Sequence, residues 1–167
     1  MHCDILFSTE DSVLGTVLVA KSERGVCAIL LGERASDLAR DLRRRFPQAR
    51  LWHARDELAA LITKVAGFLA APASRLDVPL DPQGSEFERR VWRALREIPA
   101  GATETYGAIA RRIGAPHAAK EVGEACAANP IAVAIPCHRV VRKDGSLAGY
   151  RWGLLRKRAL LQREANA

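Results

Sequence analysis

The pattern of apolar and polar positions in the first half of the chain predicts a β-hairpin followed by two helices. Residues 15–22 and 25–31 are rich in β-branched and aliphatic side chains, and the turn between them ends on a glycine. In residues 33–46 and 56–70 the apolar positions recur at helical spacing, and a proline follows each segment closely. We therefore expect an α/β domain in which a small antiparallel sheet packs against helices.

A stretch without periodicity follows these helices and divides the chain. Residues 71–84 contain three prolines and a glycine, which favours an extended linker. The boundary predicted by this linker separates an N-terminal domain, residues 1–82, from a C-terminal domain, residues 83–167.

The second half of the chain is predicted to be mostly helical. Ser85 and Glu88 have the spacing of a capping box, and an apolar stripe follows them. A short helix is expected from about Thr105 to Ile113, with its stop at Gly114, and another from Pro116 to near Asn129 and Pro130. Two short helices joined by about three residues are typical of a helix-turn-helix, although any helical domain contains such pairs.

The second of these two helices, residues 117–128, has very little side-chain bulk. Its small residues are Ala118, Ala119, Gly123, Ala127 and Ala128. Close packing against another helix is the usual reason for such a composition, and close approach to a nucleic-acid backbone is the alternative. In the second case Arg111, Arg112 and Lys120 would contact phosphates.

Charge is distributed unevenly between the two halves. The chain of 167 residues carries 26 Lys and Arg against 19 Asp and Glu, a net charge of +7. Residues 1–84 hold 11 basic and 11 acidic residues, so the whole excess lies in residues 85–167. A basic second half indicates either a domain that binds a polyanion or a solvated basic surface without a partner.

Length and composition exclude several classes of protein. The apolar content of 49% is sufficient for a packed core, so neither a disordered chain nor a disulfide-stabilised miniprotein is expected. No apolar run approaches the roughly 20 residues that span a bilayer, and the first residues lack the pattern of a signal peptide. We expect a soluble, cytoplasmic protein.

The four cysteines differ in their surroundings. None belongs to a CxxC pair, which argues against a zinc ribbon or a redox motif, and we expect no metal site. Cys27 and Cys126 lie in apolar segments that are typical of inert core residues. Cys137 stands apart because a histidine and an arginine follow it directly.

Cys137 also follows an apolar run, residues 131–135, which predicts a strand that ends at Pro136. A thiol reacts as its thiolate, which an adjacent base or positive charge makes more abundant, and His138 and Arg139 offer both. Consecutive side chains diverge, so we expect a bridging water to carry the proton from Cys137 to His138.

The last predicted helix, residues 154–164, offers a third group that could orient His138. Glu164 lies four residues after Leu160 and three after Leu161, so it shares their apolar face. A carboxylate on a buried face is costly unless it is paired. The alternative is that Glu164 frays at the end of the chain.

These residues together carry a resemblance to a known family. The run 136–140, PCHRV, resembles the active-site signature of the O6-alkylguanine-DNA alkyltransferases, and the similarity extends from about residue 12 to Glu164. The segment 145–153 is most similar to the C-terminal half of the bacterial adaptive-response (Ada-type) members. We expect no counterpart of the Ada-type N-terminal module that accepts methyl groups from phosphotriesters.

The resemblance implies a role for each matching residue. Cys137 would be the alkyl acceptor, His138 the water-mediated base and Glu164 its orienter. Asn129 would brace the turn before the active-site strand, and Tyr106 would aid protonation of the leaving group. The implied DNA-binding and substrate-binding residues are Lys120, Tyr150, Arg139, Val140, Arg151, Ala119 and Gly123. Among these Tyr150 would wall the guanine pocket, and carbonyls near Cys137 and Val140 would accept from the guanine amine.

The resemblance also implies a fold, a reaction and a partner. The N-terminal domain would be ribonuclease-H-like, and the C-terminal domain would hold a helix-turn-helix. A monomer would bind double-stranded DNA, rotate an alkylated guanine out of the duplex and accept the alkyl group once, without metal or organic cofactor. O4-alkylthymine would be a second substrate.

Two positions depart from the family pattern. Lys120 stands where an arginine usually enters the base stack, and an ammonium cannot stack as a planar guanidinium does. Arg151 stands where some relatives have a small hydroxyl residue, which leaves the tolerated size of the alkyl group open.

Three other functions remain as alternatives. A binding-only damage sensor would lack the acceptor cysteine, which is present here as Cys137. A helix-turn-helix regulator would bind one duplex sequence, whereas a repair protein should bind through phosphates with strong salt dependence. A Cys-His hydrolase would regenerate its thiol and turn over.

Overall fold

A four-stranded mixed sheet organises the first half of the chain. Its strands are β1 (Cys3–Ser12), β2 (Gly15–Ser22), β3 (Gly25–Gly32) and β4 (Ala49–His53), in the order β3-β2-β1-β4. The predicted hairpin is confirmed as β2 and β3, and β1 pairs antiparallel with β2. The expectation of a purely antiparallel sheet is wrong, because β4 pairs parallel with β1. A helix between β3 and β4 returns the chain to the end of the sheet where β3 began, so the two strands run in the same direction.

Two helices cover this sheet, and both lie inside the predicted segments. α1 spans Ala35–Arg45 and buries Leu38 and Leu42, whereas α2 spans Ala59–Ala70. The buried face of α2 consists of Ile62, Val65, Phe68 and Leu69. These side chains and the mostly buried strands β2 and β3 form the core of the unit.

The segment after α2 is extended, as predicted, and part of it is tied to the sheet. The Val26 amide donates to the Pro79 carbonyl at 2.9 Å, and the Asp81 amide donates to the Val26 carbonyl at 2.7 Å. Gly25 makes this approach possible, because a Cβ atom at that position would lie 2.6 Å from the Pro79 oxygen.

This computed structural model describes residues 3–167, which divide into two compact units between Pro82 and Gln83. None of the helices within 3–167 has the length and apolar character needed to cross a membrane.

The second unit consists mainly of short helices. They are α3 (Glu86–Leu95), α4 (Tyr106–Arg112), α5 (Ala119–Ala127) and α6 (Leu154–Ala165). The short strands β5 (Glu104–Thr105) and β6 (Val140–Val141) pair in parallel. The predicted capping box of α3 is confirmed, since Ser85 Oγ accepts from the Glu88 amide at 3.1 Å and Glu88 Oε1 accepts from the Ser85 amide at 2.8 Å.

The predicted strand at residues 131–135 is wrong. These residues form a buried turn in which the Ile135 amide donates to the Ile131 carbonyl and Val133 has a φ of 67°. The side chain of Asn129 holds both ends: its Oδ1 accepts from the Ile131 amide and its Nδ2 donates to the Ile135 carbonyl, each at 2.9 Å. The run of apolar residues is continuous because the whole turn is buried. A buried strand would give the same pattern, so periodicity alone does not distinguish the two.

Candidate active site

Cys137 begins a one-turn 3-10 helix, Cys137–Arg139, directly after the buried turn. Its sulfur accepts a hydrogen bond from Asn129 Nδ2 at 3.2 Å, and the side chain is only 4% exposed. Asn129 therefore contacts both ends of the turn and the thiol itself. The side-chain amide of Asn129 thus fixes the position of Cys137 Sγ relative to the surrounding backbone.

The thiol lines a cavity of about 370 Å³ within the second unit. The predicted site residues that share this cavity with it are Tyr106, Gly123, Tyr150 and Arg151. Cys126 lines the same cavity, so it is not only a core residue as the sequence indicated. The structure thus brings residues from α4, α5 and the segment before α6 to the thiol.

The two residues that follow Cys137, His138 and Arg139, form a buried cluster with Glu164. His138 Nε2 is hydrogen-bonded to Glu164 Oε1, and Arg139 donates from Nε to Glu164 Oε2 at 2.9 Å and from Nη2 to Oε1 at 3.1 Å. The third nitrogen of Arg139, Nη1, donates to the Ile98 carbonyl at 2.7 Å. Glu164 is 4% exposed, so it does not fray at the end of α6.

Arg139 lies in this cluster and not on a surface that could meet DNA. Its guanidinium is committed to Glu164 and to the Ile98 carbonyl, and the residue is 8% exposed. The sequence-based expectation of a DNA contact or of a charge beside the thiol therefore does not match its position. Its structural effect is to hold Glu164 against His138.

The shifted pKa values of His138 and Cys137 favour a neutral imidazole and a protonated thiol before the reaction. Burial raises the pKa of Cys137 to about 11, although the Asn129 hydrogen bond and the charge of Lys157 act in the opposite direction. Burial lowers the pKa of His138 despite its contact with Glu164. Burial alone would raise the pKa of Glu164, but the hydrogen bonds from His138 and Arg139 outweigh it, so that this pKa is lowered. His138 is therefore able to accept a proton.

The other predicted residues occupy varied positions. Lys120 is exposed near the start of α5, and Ala119 and Gly123 are half-buried on the same helix. Arg151 donates to the Asn129 carbonyl at 3.1 Å and lies over the Trp152 ring. Lys120 and Arg151 thus combine positive charge with access to solvent.

The carbonyl groups predicted to bind guanine accept hydrogen bonds within the protein. The Val140 amide donates to the Cys137 carbonyl, and the Val140 carbonyl accepts from Lys157 Nζ at 2.7 Å.

Lys157 is a residue that the sequence reasoning missed. It is fully buried in α6, and its ammonium group donates to the carbonyls of Val140 and Ala148 at 2.7 and 3.3 Å. Burial lowers its pKa, whereas the nearby Cys137 and Cys126 thiols act to raise it. The spacing of Lys157, Leu160 and Glu164 on one helix face was the signal that could have identified it.

We expect the substitution Lys157→Met to slow thiolate formation at Cys137. It removes a positive charge that lowers the pKa of Cys137 while keeping a side chain of similar length. Alkylation of Cys137 by iodoacetamide at pH 8, followed by mass spectrometry, should be about 10-fold slower. Lys143→Met, which removes an exposed lysine of the same unit, is the control; an equal effect of both substitutions would contradict a local role of Lys157.

Comparison with known proteins identifies the family. Residues 86–166 match the family model of the 6-O-methylguanine DNA methyltransferase DNA-binding domain. The chain is 47% identical over 161 residues to the bifunctional transcriptional activator/DNA repair enzyme Ada of Escherichia coli, covering 96% of this chain and 46% of that protein. The regulatory protein ada of Salmonella typhimurium gives 45% identity with the same coverage of its own length, so the chain spans about half of these two relatives.

Two further matches cover nearly the whole length of both compared chains. A methylated-DNA--protein-cysteine methyltransferase of Mycolicibacterium paratuberculosis is 39% identical, over 96% of this chain and 92% of that protein. The crystal structure of Mycobacterium tuberculosis OGT in complex with DNA superposes with a TM-score of 0.81 and 35% identity, covering 96% and 93% of the two chains. These matches show that the chain belongs to the methylated-DNA--protein-cysteine methyltransferase family.

Proposed function

We propose that this protein repairs alkylated DNA directly, by transferring an alkyl group from O6 of guanine, or from O4 of thymine, to Sγ of Cys137. The observation that carries the proposal is the position of Cys137, whose thiol lines a cavity of about 370 Å³ and whose next residue is the buried His138, paired with Glu164. The names of the relatives and the solved complex of one of them with DNA support it.

The chemistry follows from the ionisation of the cluster. His138 takes the proton of Cys137, and Glu164, itself held by Arg139, keeps the imidazole ring in place and stabilises the imidazolium that forms. The thiolate attacks the alkyl carbon, and the bond from that carbon to O6 breaks with its electron pair on the guanine. Burial raises the pKa of Tyr106 to about 12, so its hydroxyl is a protonated donor that can neutralise the departing base.

The product is a thioether, which is a poor leaving group. Regenerating the thiol would require a second nucleophile to attack the same alkyl carbon, and no step of the proposed chemistry supplies one. Each chain therefore reacts once, and the alkyl carbon remains on Cys137. No metal or organic cofactor takes part in these steps.

The damaged nucleotide must leave the duplex to reach this thiol, because an alkyl group on a stacked guanine is out of reach. In this proposal α4 and α5 act as a helix-turn-helix in a DNA-binding and alkyl-acceptor domain, residues 83–167, and the N-terminal domain, residues 1–82, is ribonuclease-H-like. The small residues Ala119 and Gly123 let α5 approach the minor groove closely, and Lys120 lies at the site of the extruded base. Tyr150 and Arg151 wall the pocket, with the carbonyls of Cys137 and Val140 facing the guanine amine.

The test is to incubate the protein with a duplex that contains O6-methylguanine and to measure the mass of the intact chain and of its tryptic peptides. We expect one methyl-for-hydrogen gain per chain, on the peptide that contains Cys137. An unchanged mass with restored guanine would indicate a hydrolase. An unchanged mass with unrepaired DNA would indicate a damage sensor or a helix-turn-helix regulator.

We expect Lys120→Arg to speed repair of duplex DNA more than reaction with the free modified base. A guanidinium can stack in the space left by an extruded nucleotide, whereas an ammonium cannot, and the free base needs no extrusion. Single-turnover rates of both proteins with an O6-methylguanine duplex and with free O6-methylguanine measure this, and a gain of about 3- to 10-fold on duplex alone is the expected result. Equal rates for both proteins on duplex would contradict it.

A further inference from the structure

Two buried polar atoms of the site lack a hydrogen-bond partner. Within residues 3–167, the side-chain atoms in this condition are Nδ1 of His138 and the hydroxyl of Tyr150. Buried polar atoms in proteins are nearly always paired, either with protein or with an ordered water. Two such atoms at one site point to a partner that both share.

The orientation of both rings is fixed by other contacts. Glu164 engages Nε2 of His138, which leaves Nδ1 on the opposite side of the imidazole. The Tyr150 ring meets the His138 ring edge to face, with 6.5 Å between the ring centroids, and packs against Trp152 at 5.4 Å. Neither ring can turn away to find another partner without breaking these contacts.

The protonation states of the two atoms are complementary. Burial raises the pKa of Tyr150 well above its ordinary value, and Cys137 and Glu164 act in the same direction while Arg156 opposes them. Burial lowers the pKa of His138, and the charges of Arg139 and Lys157 lower it further, whereas Glu164 acts to raise it. At neutral pH the Tyr150 hydroxyl is therefore a donor and Nδ1 of His138 an acceptor, and one water molecule can satisfy both.

We propose that the Tyr150 hydroxyl and Nδ1 of His138 together hold the water through which His138 takes the proton of Cys137. The inference rests on the proposed function and deepens it, because it makes Tyr150 a positioning residue in addition to a wall of the pocket. Tyr150 donates its O–H to the water oxygen. The S–H bond of Cys137 breaks as its proton passes to the water oxygen, while a proton of that water passes to Nδ1, so the water is unchanged and a thiolate and an imidazolium remain.

The substitution Tyr150→Phe removes the hydroxyl and keeps the ring. We expect the single-turnover rate on an O6-methylguanine duplex to fall about 5- to 10-fold, with the affinity for that duplex within about twofold of wild type. Alkylation of Cys137 by iodoacetamide in the absence of DNA should fall by a similar factor. Its pH profile should move to higher pH, because the water donates less strongly to the thiolate once Tyr150 no longer donates to it.

Tyr150→Leu provides the matched contrast, since it removes the ring as well and should additionally weaken binding of the alkylated duplex. Unchanged alkylation of Cys137 in Tyr150→Phe would overturn the inference. A slower repair that is fully explained by weaker duplex binding would overturn it too, because the ring alone would then matter. If the wild-type protein transfers no methyl group, the proposed function fails, and the iodoacetamide comparison still tests the role of the hydroxyl.

Discussion

Replacing Cys137 by serine is expected to abolish alkyl transfer while leaving DNA binding intact. A serine hydroxyl is far less acidic than a thiol, so a neutral His138 cannot generate its alkoxide, and the nucleophile is lost. The substitution is nearly isosteric, and the serine oxygen can accept the hydrogen bond that Asn129 Nδ2 now donates at 3.2 Å. The fold around the buried turn should therefore persist, with a change in the free energy of unfolding below about 1 kcal/mol.

The measurement compares the two proteins on an O6-methylguanine duplex, by the mass of the protein and by gel-shift affinity. The variant should show no methyl gain on any peptide and wild-type affinity. Cys3→Ser is the control, because Cys3 is an exposed thiol of the other unit and its loss should change neither result. Methyl transfer that survives in the Cys137 variant would assign the acceptor to another residue.

Replacing Glu164 by glutamine is expected to damage both stability and rate. The amide group would turn a donor toward Arg139 or His138, and it would leave the buried guanidinium without a counter-charge. Breaking a buried ion pair in this way costs about 3–5 kcal/mol in the free energy of unfolding. Because the histidine would also lose the carboxylate that stabilises its charged form, the single-turnover rate should fall about 10²- to 10⁴-fold.

Urea unfolding and single-turnover kinetics measure these two effects separately. The lowered pKa of Glu164 means that its contribution to stability is present above the ordinary carboxyl range and is lost as the pH falls through the lowered value. The loss of stability toward acid should therefore be smaller in the variant than in wild type. Glu57→Gln, an exposed change of the same kind, is the control, and a similar loss of stability in both variants would refute a special role for Glu164.

Local sequence patterns predicted the elements that depend on local physics. The hairpin of β2 and β3, the helices α1 and α2 and the capping box at Ser85 all follow from residue periodicity and end signals. Strand β1 was missed because its buried positions do not alternate, and β4 was missed because it is short and mostly exposed. Strand β1 therefore lacks the period of two on which such a prediction depends, and β4 shows that period over only four residues.

The candidate site was predictable where chemistry is encoded by neighbouring residues, and less so where it depends on packing. Cys137, His138 and Glu164 were identified from their sequence context, and the structure brings the histidine and the carboxylate together. The positions of Arg139 and Lys157 could not be read from composition, because a basic residue in a basic half indicates a surface contact. Both are buried by tertiary contacts with carbonyls and, for Arg139, with a carboxylate.

Pro130, which follows Asn129, affects the chemical stability of the unreacted site. Asparagine deamidates when the backbone nitrogen of the following residue attacks the side-chain amide and closes a five-membered imide. Here the following residue is Pro130, whose nitrogen carries no hydrogen and cannot close that ring. The amide that donates to Sγ of Cys137 and to the Ile135 carbonyl is thereby shielded from the commonest form of chemical ageing in proteins. For a protein proposed to react once, this preserves the unreacted molecule during storage in the cell.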